Sequence, residues 1–98
     1  MDLDFLINSL KVNGSGYLIG VDTNNEEKAV EILQNVSKVL KKDLWYKKGD
    51  CRNDLFDVYT PRELRECYNS IVAEWKGFYT NIEPFDEWKN KYFKLVKR

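Results

Sequence analysis

Apolar positions along the chain follow a helical period in some stretches and gather in short runs in others. Leu3, Leu6, Ile7 and Leu10 fall at i, i+3, i+4 and i+7, the spacing of one helical face. Asp2 can cap such a helix and Asn13-Gly14 can end it. A rival reading pairs Leu10–Val12 with Tyr17–Val21 as a hairpin around Asn13-Gly14-Ser15-Gly16, but the helix fits the spacing better. The run Tyr17-Leu18-Ile19-Gly20-Val21 lies between Gly16 and Asp22 and predicts a buried central strand. Gly20 within it predicts a bulge or a close backbone approach.

Thr23-Asn24-Asn25-Glu26 has the form of a capping box, where hydroxyl and carboxylate each satisfy an orphan backbone N–H. Ala29, Ile32, Leu33, Val36 and Leu40 then line one face, predicting a helix over residues 24–42. Leu44–Lys47 and Leu55–Tyr59 are expected as two strands joined by a polar loop over Gly49–Asn53. Thr60-Pro61-Arg62-Glu63 places a capping hydroxyl before a proline suited to the first helical turn. Leu64, Cys67, Tyr68, Ile71, Val72 and Trp75 continue that helix over 61–76, and Gly77 is a natural stop. Pro84 opens a last helix with Phe85, Trp88, Tyr92, Leu95 and Val96 on its apolar face. Asp86 and Glu87 sit at its start, and Lys94, Lys97 and Arg98 at its end, as the helix dipole favours.

These elements predict an α+β fold in the order α-β-α-β-β-α-α. The expected sheet is small and mostly antiparallel, with about three strands packed by three to four helices. The 98 residues suit one domain spanning 1–98, and 43% apolar residues suffice for a core. The helices over 24–42 and 61–76 are expected to share that core and leave the basic hairpin free outside it.

Chemistry is bounded mainly by what is missing. The chain has no histidine, which removes the commonest general base and metal ligand. Cys51 and Cys67 fit no zinc spacing, and Cys67 falls on an apolar helix face as a small core residue. Gly14, Gly16 and Gly20 faintly resemble a phosphate-binding loop. Such a loop follows a strand and opens a helix, whereas these glycines precede or occupy the strand. Asp57 with Glu74-Trp75-Lys76 resembles the acid and Glu-x-Lys set of metal-dependent nucleases. On a helix, however, positions 74 and 76 stand roughly 200° apart and cannot converge. Asp22, at an expected strand end, has no second motif beside it and is read as part of the helix entry. A non-enzymatic chain without cofactor or metal is the expectation.

No apolar run approaches the length of a membrane span. With no signal-like start and no disulfide framework, a reduced cytoplasmic setting with free thiols is expected, and the sequons at Asn13 and Asn35 are chance matches. Net charge is zero but unevenly spread. Lys38, Lys41, Lys42, Lys47, Lys48 and Arg52 face only Asp43 and Asp50 in their segment. The stretch from Trp88 to Arg98 is basic without an acid, and that from Asp54 to Glu87 is mainly acidic.

Basic residues interleaved with aromatics mark Trp45, Tyr46, Lys47, Lys48, Arg52, Lys91 and Lys94 as the candidate macromolecule-binding set. Tyr46, Tyr59, Phe78, Tyr79 and Phe93 fall partly off the core faces and are expected at the surface. Another protein is the first expected partner, bound by occupation of its surface. Nucleic acid is the alternative, through the basic hairpin and the last helix. In style rather than motif, this small Lys-, Asn- and Tyr-rich chain resembles accessory proteins of phages and mobile elements, including inhibitors of host systems.

Overall fold

The strand alternation decides the architecture, because each strand offers one row of side chains to each side of the sheet. The computed structural model describes residues 3–21, 25–48, 55–77 and 82–97. Its elements are α1 (Leu3–Asn13), β1 (Ser15–Ile19), α2 (Glu26–Leu40), β2 (Trp45–Lys48), β3 (Leu55–Tyr59), α3 (Pro61–Trp75), α4 (Phe85–Tyr92) and β4 (Lys94–Leu95). The four strands form an antiparallel sheet in the order β1-β3-β2-β4. The α+β class and antiparallel sheet are as the sequence predicts, with one more strand.

Leu18, Tyr46, Phe56 and Val58 point to one face, where α1 and α2 cover them with Leu6, Leu10, Ala29, Leu33 and Val36. Trp45 and Tyr59 point the other way, where α3 and α4 bring Leu64, Cys67, Tyr68, Ile71, Phe85 and Trp88. The helices over 24–42 and 61–76 therefore pack on opposite faces of one sheet and share no core, contrary to expectation. The hairpin strands lie between β1 and β4, in the middle of the sheet, so Trp45–Lys48 and Leu55–Tyr59 are not free outside it.

Three further expectations are corrected. The last helix stops at Tyr92: Phe93 is extended, and Lys94–Leu95 pair with Trp45–Tyr46 of β2. The Val96 N–H donates to the Leu44 carbonyl, so the segment after α4 belongs to the sheet. Phe93 and Val96 are residue types enriched in strands, and burying them on opposite faces favours the extended state. The strand expected at Tyr17–Val21 runs over Ser15–Ile19 and is an edge, not a central strand, with only Leu18 fully covered. Close backbone approach occurs at Gly16 instead of Gly20: a Cβ on Gly16 would lie 2.9 Å from Leu6 Cδ1 and 3.2 Å from Ser9 Cβ, so glycine lets α1 settle on β1.

The helix starts differ in kind. Asn25 bounds α2 without a side-chain capping bond, and the expected cap Thr23 lies outside the described residues. Thr60 does cap α3. Its hydroxyl donates to the Gly14 carbonyl at 2.9 Å and accepts the Glu63 N–H at a longer 3.5 Å. The Thr60 N–H donates to the same Gly14 carbonyl at 2.8 Å, tying α3 to the α1–β1 turn. Thr60→Ala is expected to lower stability by about 1–2 kcal/mol, since the cap and a buried hydrogen bond are lost together. Thr60→Ser should recover most of that in urea titration. Equal losses for both variants would show that the hydroxyl contributes nothing.

Candidate functional site

The sheet leaves one of its edges partly open beside β4. Register puts Lys94 opposite Tyr46 and Leu95 opposite Trp45, so β4 covers only the first half of β2. Beyond it, Lys47 and Lys48 border a groove of about 570 Å³ that wraps around the edge. Its apolar wall is Ile71 and Trp75 of α3, Trp88 and Tyr92 of α4, and Phe93. Its polar margin is Lys47, Lys48, Lys94 and Glu26.

Each wall has a local cause. Trp88 sits at the centre of an aromatic cluster, with ring centroids 5.1 Å from Phe93 and 5.4 Å from Tyr68. Tyr68 donates its hydroxyl to the Glu83 carbonyl, which fixes the approach to α4. Because α4 ends one residue before Phe93, that ring turns inward against Tyr59, edge-on at 5.4 Å, while Tyr92 stays 51% exposed. Trp75, in the last turn of α3, remains 38% exposed.

Carboxylates of the chain lie against several of these lysines, with Glu26 shared by two of them. Lys94 Nζ lies 3.1 and 3.0 Å from the two carboxylate oxygens of Glu26, and Lys48 Nζ is 3.8 Å from one of them. The hydrogen bond from Lys94 to Glu26 raises the lysine's pKa, although partial burial opposes this. Lys91 Nζ is 3.3 Å from Glu83, whose hydrogen bond and negative charge likewise raise its pKa. Lys47 Nζ lies 5.6 Å from the centroid of Phe93, a cation–π arrangement at the groove floor.

The structure thus gathers Tyr46, Lys47, Lys48 and Lys94 from the sequence-derived set, and Lys91 lies on the adjoining helix. Trp45 lies apart from the groove, half-buried against α4 with Lys89 Nζ 4.8 Å above its ring. Tyr46 is a core residue at 4% exposure, so it anchors the strand and offers little surface. Phe93 is also buried and Tyr59 half-buried, against the expectation of surface aromatics. Arg52, Phe78 and Tyr79 lie outside the described residues, as do Asp22 and Cys51. Within the groove, Trp75 and Tyr92 carry the exposed aromatic surface instead. Sequence reasoning assigned both to core faces because they keep the helical period. For Trp75 the last-turn position before Gly77 was an available signal; for Tyr92 there was none, because the helix was expected to continue through Val96.

Other candidate chemistry is not assembled. Asp57 is on β3, whereas Glu74 belongs to α3 and Lys76 follows its end, so the nuclease-like set shares no strand. No group of three or more His, Cys, Asp or Glu side chains among the described residues is placed to hold a metal ion. No described helix is long and apolar enough to cross a membrane. Burial, with Glu63 and Glu66 nearby, pushes the Cys67 thiol upward, away from the thiolate a nucleophile needs.

Burial is also the main reason the Tyr59 phenol is pushed up to about 12, with the Asp57 charge adding to it. An unfolded tyrosine ionises near pH 10, so between about 10 and 12 the unfolded chain releases a proton that the folded chain retains. This contribution to stability is complete below pH 10 and is lost as pH rises through 12. Tyr59→Phe should make the fall in unfolding free energy across that window shallower. Parallel curves for the two proteins would contradict the assignment.

No protein-family model, curated protein or solved structure matches the chain.

Proposed function

We propose that this chain is a small non-enzymatic protein-binding module that seats part of another protein in the groove between the open β2 edge and the α3–α4 layer. The observation that carries the reading is the combination in the groove of exposed aromatic surface with lysines already opposed by Glu26. Aromatic anchors in a pocket with a polar rim are the features that concentrate binding energy at protein interfaces. A phosphate-tracking surface draws on many uncompensated cations, whereas here Lys48 and Lys94 share the single negative charge of Glu26 and Lys91 is paired with Glu83, which leaves the groove margin with a small positive excess. Protein is therefore favoured over nucleic acid. The partner chemistry that fits is an apolar or aromatic side chain against Trp75, Tyr92 and Trp88, with an acidic neighbour near Lys47. Occupying a partner in this way implies regulation or inhibition by competition, consistent in kind with the accessory proteins that the chain resembles in style.

The test is quantitative capture from the native host with the wild-type chain, Trp75→Ala/Tyr92→Ala and Lys47→Glu, each checked for folding by circular dichroism. Both variants are expected to lose the same specific partner, with affinity reduced by at least about tenfold for the aromatic pair. Full retention by both folded variants would remove the groove from consideration. Parallel titration with single-stranded DNA and RNA across salt distinguishes the alternative: a steep, salt-sensitive affinity abolished by Lys47→Glu would replace this reading with nucleic-acid binding.

A further inference from the structure

The opposite side of the sheet presents a different surface. Among the described residues β1 pairs with β3 alone, in unbroken register from Ser15↔Tyr59 to Ile19↔Leu55. The Gly14 carbonyl accepts from Thr60 of the strand-end beside it. By strand alternation the N–H and C=O groups of Gly16 and Leu18 also face β3, so those of Ser15, Tyr17 and Ile19 face outward. The side chains of the same three residues stand on the α3–α4 face, where Tyr17 is 55% and Ile19 49% exposed.

Natural sheets blunt such edges with lysine, proline, a bulge or an overlying element. The β4 edge follows that practice: it is only two residues long, begins with Lys94 and is followed by Lys97. The β1 edge, Ser-Gly-Tyr-Leu-Ile, has no charge, no proline and no bulge; α1 packs on its inner side, where Phe5, Ser9 and Asn13 border a hollow together with Ser15 and Tyr17.

We propose that the outer edge of β1 pairs antiparallel with the same edge of a second copy of this chain, about a two-fold axis at Tyr17. In that register Tyr17 faces its own copy and Ser15 faces Ile19. All three outward residues then form hydrogen-bonded pairs, and the contact is isologous. The two sheets join into one of eight strands, with the Tyr17 rings adjacent and flanked by Ile19.

A second copy suits the charge pattern, since an uncharged strand on a chain of zero net charge meets itself without repulsion. The small size of the contact limits its strength. A five-residue strand is about 17 Å long. With two half-exposed side chains it falls short of the roughly 800 Å² per partner typical of stable complexes. The pairing is therefore a concentration-dependent equilibrium between folded monomers. The two grooves lie at the far ends of the joined sheet, so this pairing and groove binding stand or fall separately.

Sedimentation equilibrium over a concentration series up to about 1 mM tests association. The mass should rise from 11.7 kDa toward about twice that for the wild type, and stay monomeric for folded Ile19→Lys. Register is tested in a Cys51→Ser/Cys67→Ser background. Hydrogen-bonded antiparallel partners have Cα atoms about 5.5 Å apart, within disulfide reach. Tyr17→Cys should therefore oxidise to a covalent dimer. Ser15→Cys should not, because its two copies lie about 13 Å apart along the strand. A wild type that stays monomeric throughout overturns the proposal. So does equal cross-linking at both positions, or a dimer that persists in Ile19→Lys and disappears in Tyr92→Ala.

Discussion

Replacing Trp88 by alanine is expected to lower the stability of the folded chain by about 3–5 kcal/mol, the usual cost of deleting a large buried aromatic. Trp88 is almost fully enclosed and has Tyr68, Phe85, Tyr92 and Phe93 as ring neighbours. Its removal opens a cavity in the smaller core, where few other side chains can move in to fill it. The loss should be local at first. Amides of α4 and β4 would exchange with solvent faster, while those of α2 would keep their protection until global unfolding. Hydrogen exchange with urea titration checks both parts. A loss below about 1 kcal/mol would mean that Trp88 is not the centre of that layer.

Phe56→Ala is expected to cost a similar or larger amount, with a different distribution. Phe56 is fully buried on β3, the strand paired on both sides, and its ring packs 6.1 Å from Tyr46 between the sheet and the α1–α2 layer. A domain of this size has about 5–10 kcal/mol of stability in total, so losing about 3–5 leaves a measurable unfolded fraction at ambient temperature. Protection should fall throughout the sheet and in both helical layers, because β3 supports both faces. A response confined to α1 and α2 would contradict that role. The contrast between the two variants is the signature of separate cores on one sheet.

Local features of this fold are written plainly in the sequence, and global ones are not. Leu3, Leu6, Ile7 and Leu10 specify α1, and Thr60-Pro61 specifies the start of α3, because capping and period are properties of neighbouring residues. A period says which side chains share a face and leaves open what covers that face. The helices over 24–42 and 61–76 each have an apolar stripe, and nothing local places those stripes on opposite sides of the sheet. Burial of Tyr46 follows from the same missing fact: its strand is flanked on both edges and covered by α2. The segment Phe93–Val96 continues the helical period of α4, and only pairing with Leu44–Tyr46 makes it extended.

The candidate site was legible to a similar degree. Lys47, Lys48 and Lys94 could be marked by composition, and the structure places them around one groove. Glu26 could not be found that way, since it is 68 positions from Lys94 in the chain and enters through the packing of α2 beside the β2–β4 edge. Trp75 and Tyr92 were hidden because a helical period assigns residues to the core without showing where the packing partner stops, and the end of α4 at Tyr92 is set by the pairing of β4 with β2.

The groove exists only if the chain after Tyr92 leaves the helix and joins β2, and backbone NMR tests that directly. Amide–amide contacts between Tyr46 and Lys94, with slow exchange of the Val96 N–H, are the result expected. Helical i to i+3 contacts running unbroken from Trp88 through Val96, with no contact to Tyr46, would contradict it.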